Sequence, residues 1–171
     1  GGGAVGQKIS VNGVVSTYAL VYTASSYRGG VVSPAGVINM VPYTAAVGQN
    51  ISATGTVSTY TLVYTASGAY RGGVLAPNGD THFVPHNANR GQKIAANNSV
   101  STYTLIYTVS SAYIGGVLGL DGSIHFVPFA AKVGQKIDIN GTVSTYSLAY
   151  TTATNAYNGG VLAPNGDIHF V

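Results

Sequence analysis

An all-β propeller of four-stranded antiparallel blades is the fold this chain predicts, and three observations predict it. One text of about 43 residues is written four times, with Gly6-Gln7, Gly48-Gln49, Gly91-Gln92 and Gly134-Gln135 recurring at steps of 42, 43 and 43 residues. A period of this length belongs to propeller blades or helical arrays. The units are rich in Gly, Val, Thr and Tyr and alternate with a two-residue period, which excludes helices. Each unit then divides into four short strands separated by turn residues, a meander of blade length.

The elements follow in order within a unit. Gln7-Lys8-Ile9-Ser10-Val11 reads as a short strand, and Asn12-Gly13 as a two-residue hairpin turn. Thr54-Gly55, Asn97-Asn98 and Asn140-Gly141 stand at the same place. The next strand, Val15 to Tyr22, puts Tyr18, Leu20 and Tyr22 on one face. A link rich in small residues leads to Tyr27-Arg28-Gly29-Gly30 and a flat third strand, Gly30 to Ser33. Pro77-Asn78-Gly79-Asp80 and Pro164-Asn165-Gly166-Asp167 turn that strand into a fourth, which ends Ile168-His169-Phe170-Val171 in the last unit.

The phrase Gly159-Gly160-Val161-Leu162-Ala163-Pro164-Asn165-Gly166 resembles the inner-strand signature of kelch-like and related bacterial and phage propeller repeats. The resemblance implies architecture and no ligand, because tryptophan is absent and acidic residues are few. If the glycine-rich strand is innermost, complete blades cover residues 28–65, 71–108 and 114–151. An inner pair at 157–171 and an outer pair at 6–23 remain, and together they make a fourth blade clasped by both ends. One propeller domain over residues 1–171, closed as four blades, is the first expectation. Two chains exchanging ends into an eight-bladed ring is the rival, and a stacked β-solenoid stands third.

Composition bounds the partners. Only 6% of the 171 residues are charged, against roughly 25% in an ordinary soluble domain. Glutamate is absent, and the aspartates are Asp80, Asp121, Asp138 and Asp167. The net charge of +3 rests on scattered lysines and arginines, so no phosphate track exists and nucleic acid is not the expected partner. Cysteine is absent, which removes disulfides and thiolate metal sites. No apolar run reaches the roughly 20 residues of a membrane span. The chain opens Gly1-Gly2-Gly3 instead of Met, which suits a processed product, and the hydroxyl-rich surface suits an extracellular or virion setting. Sequons begin at Asn50, Asn97 and Asn140 and matter only on a eukaryotic secretory route.

Two residue sets are site candidates. His82, His125 and His169 share a repeat position that is Asn39 in the first unit. They form either a ring of imidazoles, a weak metal candidate, or hydrogen-bonded structural residues, and the Asn39 replacement favours the second. His86 sits alone in an interblade loop and carries no expectation. Twelve of the thirteen tyrosines fall in three series. The two strand series predict interblade packing. Tyr27, Tyr70, Tyr113 and Tyr157 precede Gly-Gly, and they predict a collar at one channel mouth with Arg28, Arg71, Ile114 and Asn158 beside them. Tyr27, Arg28, Tyr70, Arg71, Tyr113, Tyr157 and Asn158 are therefore the predicted ligand site, with a packed collar as the bland alternative.

Catalysis is not expected. The four aspartates supply no evident acid–base pair, and Ser144 and Thr145 show no sign of activation. The expectation is a non-catalytic, lectin-like module that recognises surface glycans through repeated shallow sites, without a cofactor. The alternatives are a self-assembling structural subunit of a phage appendage or extracellular filament, with fibre or oligomer formation through end exchange, and an engineered repeat propeller.

Overall fold

The computed structural model describes residues 4–23, 26–151 and 155–171. It holds sixteen strands in chain order, all antiparallel to their neighbours. A hairpin of β1 (Val5–Ile9) and β2 (Val15–Ala19) comes first. The first complete blade is β3 (Tyr27–Val32), β4 (Ile38–Pro42), β5 (Gly48–Ile51) and β6 (Val57–Tyr60). The second is β7 (Tyr70–Leu75), β8 (Thr81–Pro85), β9 (Arg90–Ile94) and β10 (Val100–Thr104). The third is β11 (Tyr113–Leu118), β12 (Ile124–Pro128), β13 (Val133–Ile137) and β14 (Val143–Ser147). A hairpin of β15 (Gly160–Leu162) and β16 (Ile168–Phe170) follows.

The glycine-rich strand is innermost: β3 packs on β7, β7 on β11 and β11 on β15. The paired glycines explain how backbones come so close. Gly72 has φ +80°, and a Cβ there would lie 2.8 Å from the Gly115 Cα. A Cβ on Gly73 would meet the Val31 side chain of the preceding blade at 2.8 Å. The first glycine thus supplies the bulged backbone between Tyr70 and Gly73, and the second receives the neighbour's valine. Behind this line the interblade core is aromatic and aliphatic. Val41, Tyr70, Phe83 and Ile94 are buried between the first two blades, and Val84, Tyr113, Phe126 and Ile137 between the next two.

Three local expectations are corrected. The hairpin loops hold three residues, not two: Ser10 N–H donates to Val14 O (2.9 Å), and Gly13 takes φ +79°. This is a type I turn closed by a left-handed residue, which matches the strand twist with one residue more. The strand expected to run from Val15 to Tyr22 stops at Ala19, and its counterparts stop as early. Beyond that point the backbone bonds to the next blade: Tyr22 N–H donates to Gln49 Oε1 (2.8 Å), and Val63 and Tyr64 N–H to Gln92 Oε1 (3.0 and 2.8 Å). Finally, the fourth blade is not closed. The hairpins β1–β2 and β15–β16 are two separate two-stranded sheets, at opposite ends of an arc of three complete blades. No pairing joins β1 to β16 within the chain, so both half-blades keep an open edge.

Candidate functional site

Inner strands begin, and their β-partners end, at the same face of the arc, because Tyr27, Tyr70 and Tyr113 lie opposite Pro42, Pro85 and Pro128. The residues just after those prolines are Tyr43, His86 and Phe129. Their rings form a row across three blades, with centroids 5.9 Å apart from Tyr43 to His86 and 6.0 Å from His86 to Phe129. The guanidinium of Arg28 lies over the Tyr43 ring at 5.0 Å, and that of Arg71 over Phe129 at 5.7 Å. Cations over aromatic faces are held in place electrostatically while their donors stay free.

His86 is the centre of this row and is 4% exposed. Its backbone is tied on both sides, with its N–H donating to Ala69 O (2.9 Å) and its carbonyl accepting from Ala112 N–H of the next blade (2.8 Å). The side chain of the following residue, Asn87, accepts from Ser111 N–H at 2.7 Å and pins the adjoining loop. His86 Nδ1 lies 3.0 Å from Tyr113 O. A carbonyl only accepts, so Nδ1 carries the proton and Nε2 keeps its lone pair. Burial holds the imidazole pKa below its ordinary value; the carbonyl bond opposes this and the charge of Arg71 adds to it. The ring is therefore neutral near pH 7, with a basic nitrogen that has no hydrogen-bond partner among the described residues.

The predicted collar is only partly found here. Tyr27, Tyr70 and Tyr113 are 5%, 0% and 0% exposed, and their hydroxyls donate to Val47 O, Arg90 O and Val133 O. They are wedges between blades and do not line the mouth. Burial raises their pKa values, that of Tyr27 to about 12. Strand alternation explains the miss: the residue after each tyrosine faces the other way, so Arg28 and Arg71 reach the mouth and the tyrosines do not. Ile114 is buried at the equivalent place. Tyr157 is half-buried against Phe170 (5.6 Å), and Asn158 is exposed, its N–H donating to Val171 O. His86, Tyr43 and Phe129 were missed because each follows Val-Pro once per unit with a different side chain, so no repeat series advertises them.

The histidine series also parts from its functional reading. His82 and His125 sit in separate blades, each against a tyrosine of the same blade: His82 Nδ1 is 3.4 Å from the Tyr103 hydroxyl, and His125 Nδ1 is 3.2 Å from that of Tyr146. The Tyr103 ring reaches across Gly91, where any Cβ would overlap it. Burial pushes His82 down to about 4, with Lys93 adding to the effect and Asp80 opposing it. These imidazoles do not converge, and His169 is exposed. Among the described residues no three His, Asp or Glu side chains gather at metal-ligating distance.

No protein-family model matches the chain, and no curated protein matches it. Solved structures do. The virginiamycin B lyase of Staphylococcus aureus, in selenomethionine form, is 23% identical at TM-score 0.83, over 98% of this chain and 56% of that one. A catalytically inactive H270A form of the same lyase, solved with quinupristin, gives 22% and 0.82, over 96% and 55%. A candidate gluconolactonase gives 11% and 0.63, over 95% and 62%. The chain thus spans a little over half the length of the lyases it matches. The expectation of a non-catalytic, lectin-like module, and with it the exclusion of an enzyme, is corrected here. Several structures of this architecture, the lyases and the candidate gluconolactonase among them, are named as enzymes, and the argument from missing carboxylate pairs excluded only glycoside chemistry. At these identities the likeness shows the fold: an arc of a β-propeller.

Proposed function

We propose that this chain carries the general base of a lyase-type reaction at the propeller mouth, with His86 as the base and Arg71 and Arg28 as the anion-stabilising groups. The observation that carries it is the state of His86: Nδ1 occupied by Tyr113 O, Nε2 free, and a guanidinium close enough to lower its pKa. An elimination needs these parts. Nε2 takes a proton from carbon, the C–H electron pair becomes the new double bond, and the bond to the leaving oxygen breaks as negative charge grows beside arginine. The aromatic flanks Tyr43 and Phe129 offer apolar contact to a ring-bearing substrate. The lyases of similar fold support the reading, since a single histidine-to-alanine change is named as inactivating one of them.

The test is turnover of quinupristin and of gluconolactone by the intact chain, followed by chromatography and mass. Elimination gives a product of unchanged mass, whereas lactone hydrolysis adds water. His86→Asn should lower kcat by about a hundredfold or more, within the usual range for a lost general base. Activity should fall on the acid side, through a pKa below the ordinary histidine value. Loss of neither rate nor acid limb in His86→Asn would overturn the assignment, as would no turnover of either compound.

A further inference from the structure

We propose that two copies of this chain complete each other's open blade, the β1–β2 hairpin of one copy adding to β16 of the other, to give a closed ring of eight blades. Inside one chain the second strand of every complete blade pairs with the third, whereas β16 pairs only with β15 and β1 only with β2. The register of the missing pairing is written in the complete blades. His82 lies opposite Lys93 and His125 opposite Lys136; Thr81 lies opposite Ile94 and Ile124 opposite Ile137. The same repeat positions place His169 opposite Lys8, and Ile168 opposite Ile9.

Four side-chain links follow from that register, and each half already holds its part. Tyr103 and Tyr146 cross a glycine to reach His82 and His125, at ring distances of 5.6 and 5.5 Å. Tyr18 lies across Gly6 in the same pose, with no histidine beside it in its own hairpin; His169 is the equivalent. Lys93 Nζ binds Asp80 Oδ2 at 2.6 Å; Lys8 and Asp167 are its counterparts. Gln92 and Gln135 are fully buried and accept from two backbone N–H groups of the preceding blade. Gln7 is exposed, and the N–H groups of Ala149 and Tyr150 hold the matching position. Val31 packs against Gly73 of the next blade, which pairs Val161 of one copy with Gly30 of the other.

Exposure says the same. Ile9 is 69% exposed where Ile94 and Ile137 are 4% and 2%, and Val161 is 57% exposed where Val117 is 7%. Two notches flank the open halves. One of about 530 Å³ lies between the third blade and β15–β16, bounded by His125, Tyr146 and Asp167. The other, about 380 Å³, lies between β1–β2 and the first blade, bounded by Lys8, Tyr18 and Ile51. They are the seats that the absent hairpins would fill. A second copy is the occupant because the two halves of one chain stand at opposite ends of the arc, while their free edges, β16 and β1, carry matching registers.

The test uses the intact chain and begins with its mass by light scattering, expected at about twice 17.3 kDa. Because the chain lacks cysteine, Lys8→Cys with His169→Cys in one chain makes a clean reporter, expected to form a covalent dimer on oxidation. Lys8→Asp or Asp167→Lys alone should weaken the dimer about tenfold, and the two together should restore it. These exposed substitutions leave the complete blades untouched. A monomeric mass, a disulfide confined to one chain, a ladder of higher multiples, or weakening by the single swaps without restoration by the double one would each overturn the proposal.

Discussion

Acid should unfold this protein through a buried histidine well before its carboxylates protonate. His82 is 4% exposed, faces Tyr103 and titrates at about 4 in the fold, against 6.5 in an unfolded chain. The folded pKa is the lower one, so the unfolded state binds more protons throughout that interval. The neutral ring's contribution is complete above about pH 6.5 and is lost as the pH falls toward 4. Integrating over that window, His82 alone removes about 2 kcal/mol between about pH 7.5 and 5, and about 3 kcal/mol by pH 4. His125 and His86 are shifted in the same direction and add to the loss. Asp80 resists protonation in this range: burial works against its charge, but the Lys93 and Ala96 hydrogen bonds hold its carboxyl below the usual value. Urea melts followed by tyrosine signals, in a chain with thirteen tyrosines and no tryptophan, would show the midpoint falling on the order of 1 M between those pH values. His82→Asn removes the titrating group and keeps a polar side chain, as Asn39 does in the first blade. The variant should lose about 2 kcal/mol less over the same pH drop. An equal loss in the variant and the parent would refute the assignment to His82.

Two further substitutions probe the links between strands and blades. Gln135→Ala strips the acceptor from Ile106 and Tyr107 N–H (3.0 and 2.8 Å) and should cost about 3 kcal/mol in a urea melt, because two backbone donors lose their partner. Asn39→His should do the reverse. The Tyr60 hydroxyl is buried with no partner among the described residues, while Asn39 reaches only Thr81, at 3.5 Å. A histidine there should meet Tyr60 as His82 meets Tyr103, raising stability by about 1 kcal/mol in the same assay.

The architecture was readable because each blade repeats its own instructions. Gly-Gly marked the innermost strand correctly, since only glycine accepts φ +80° with a second backbone packed against it. The tyrosine strand series were read as packing for a similar reason. Closure within one chain was misread, because the phase of the half-blades says that they match and not that one chain brings them together. How neighbouring blades meet depends on the volume wedged between them, such as Tyr70 and Phe83 of the second blade with Val41 of the first, and repeat spacing carries no trace of that volume. The collar failed on strand alternation: a position next to a channel is half the time turned away from it, as Tyr70 is while Arg71 is not.

The same contrast separates scaffold from site. Positions that hold one residue type in nearly every unit — Gln92 and Gln135, Tyr103 and Tyr146 — each close a contact inside or between blades. Such contacts have the same geometry in every blade, so the same residue answers them. A ligand at the mouth of an arc sees each blade from a different angle and needs no repetition. The row Tyr43, His86, Phe129 changes at every step, and so does Arg28, Arg71, Ile114, Asn158 after its second member. A lone histidine in that row is costly to bury for stability alone, because its pKa shift works against the fold in acid. Tyrosine and phenylalanine fill the equivalent places in the neighbouring blades without that penalty. What distinguishes His86 from those two rings is a basic nitrogen beside the charge of Arg71, and the proposed proton transfer uses that difference.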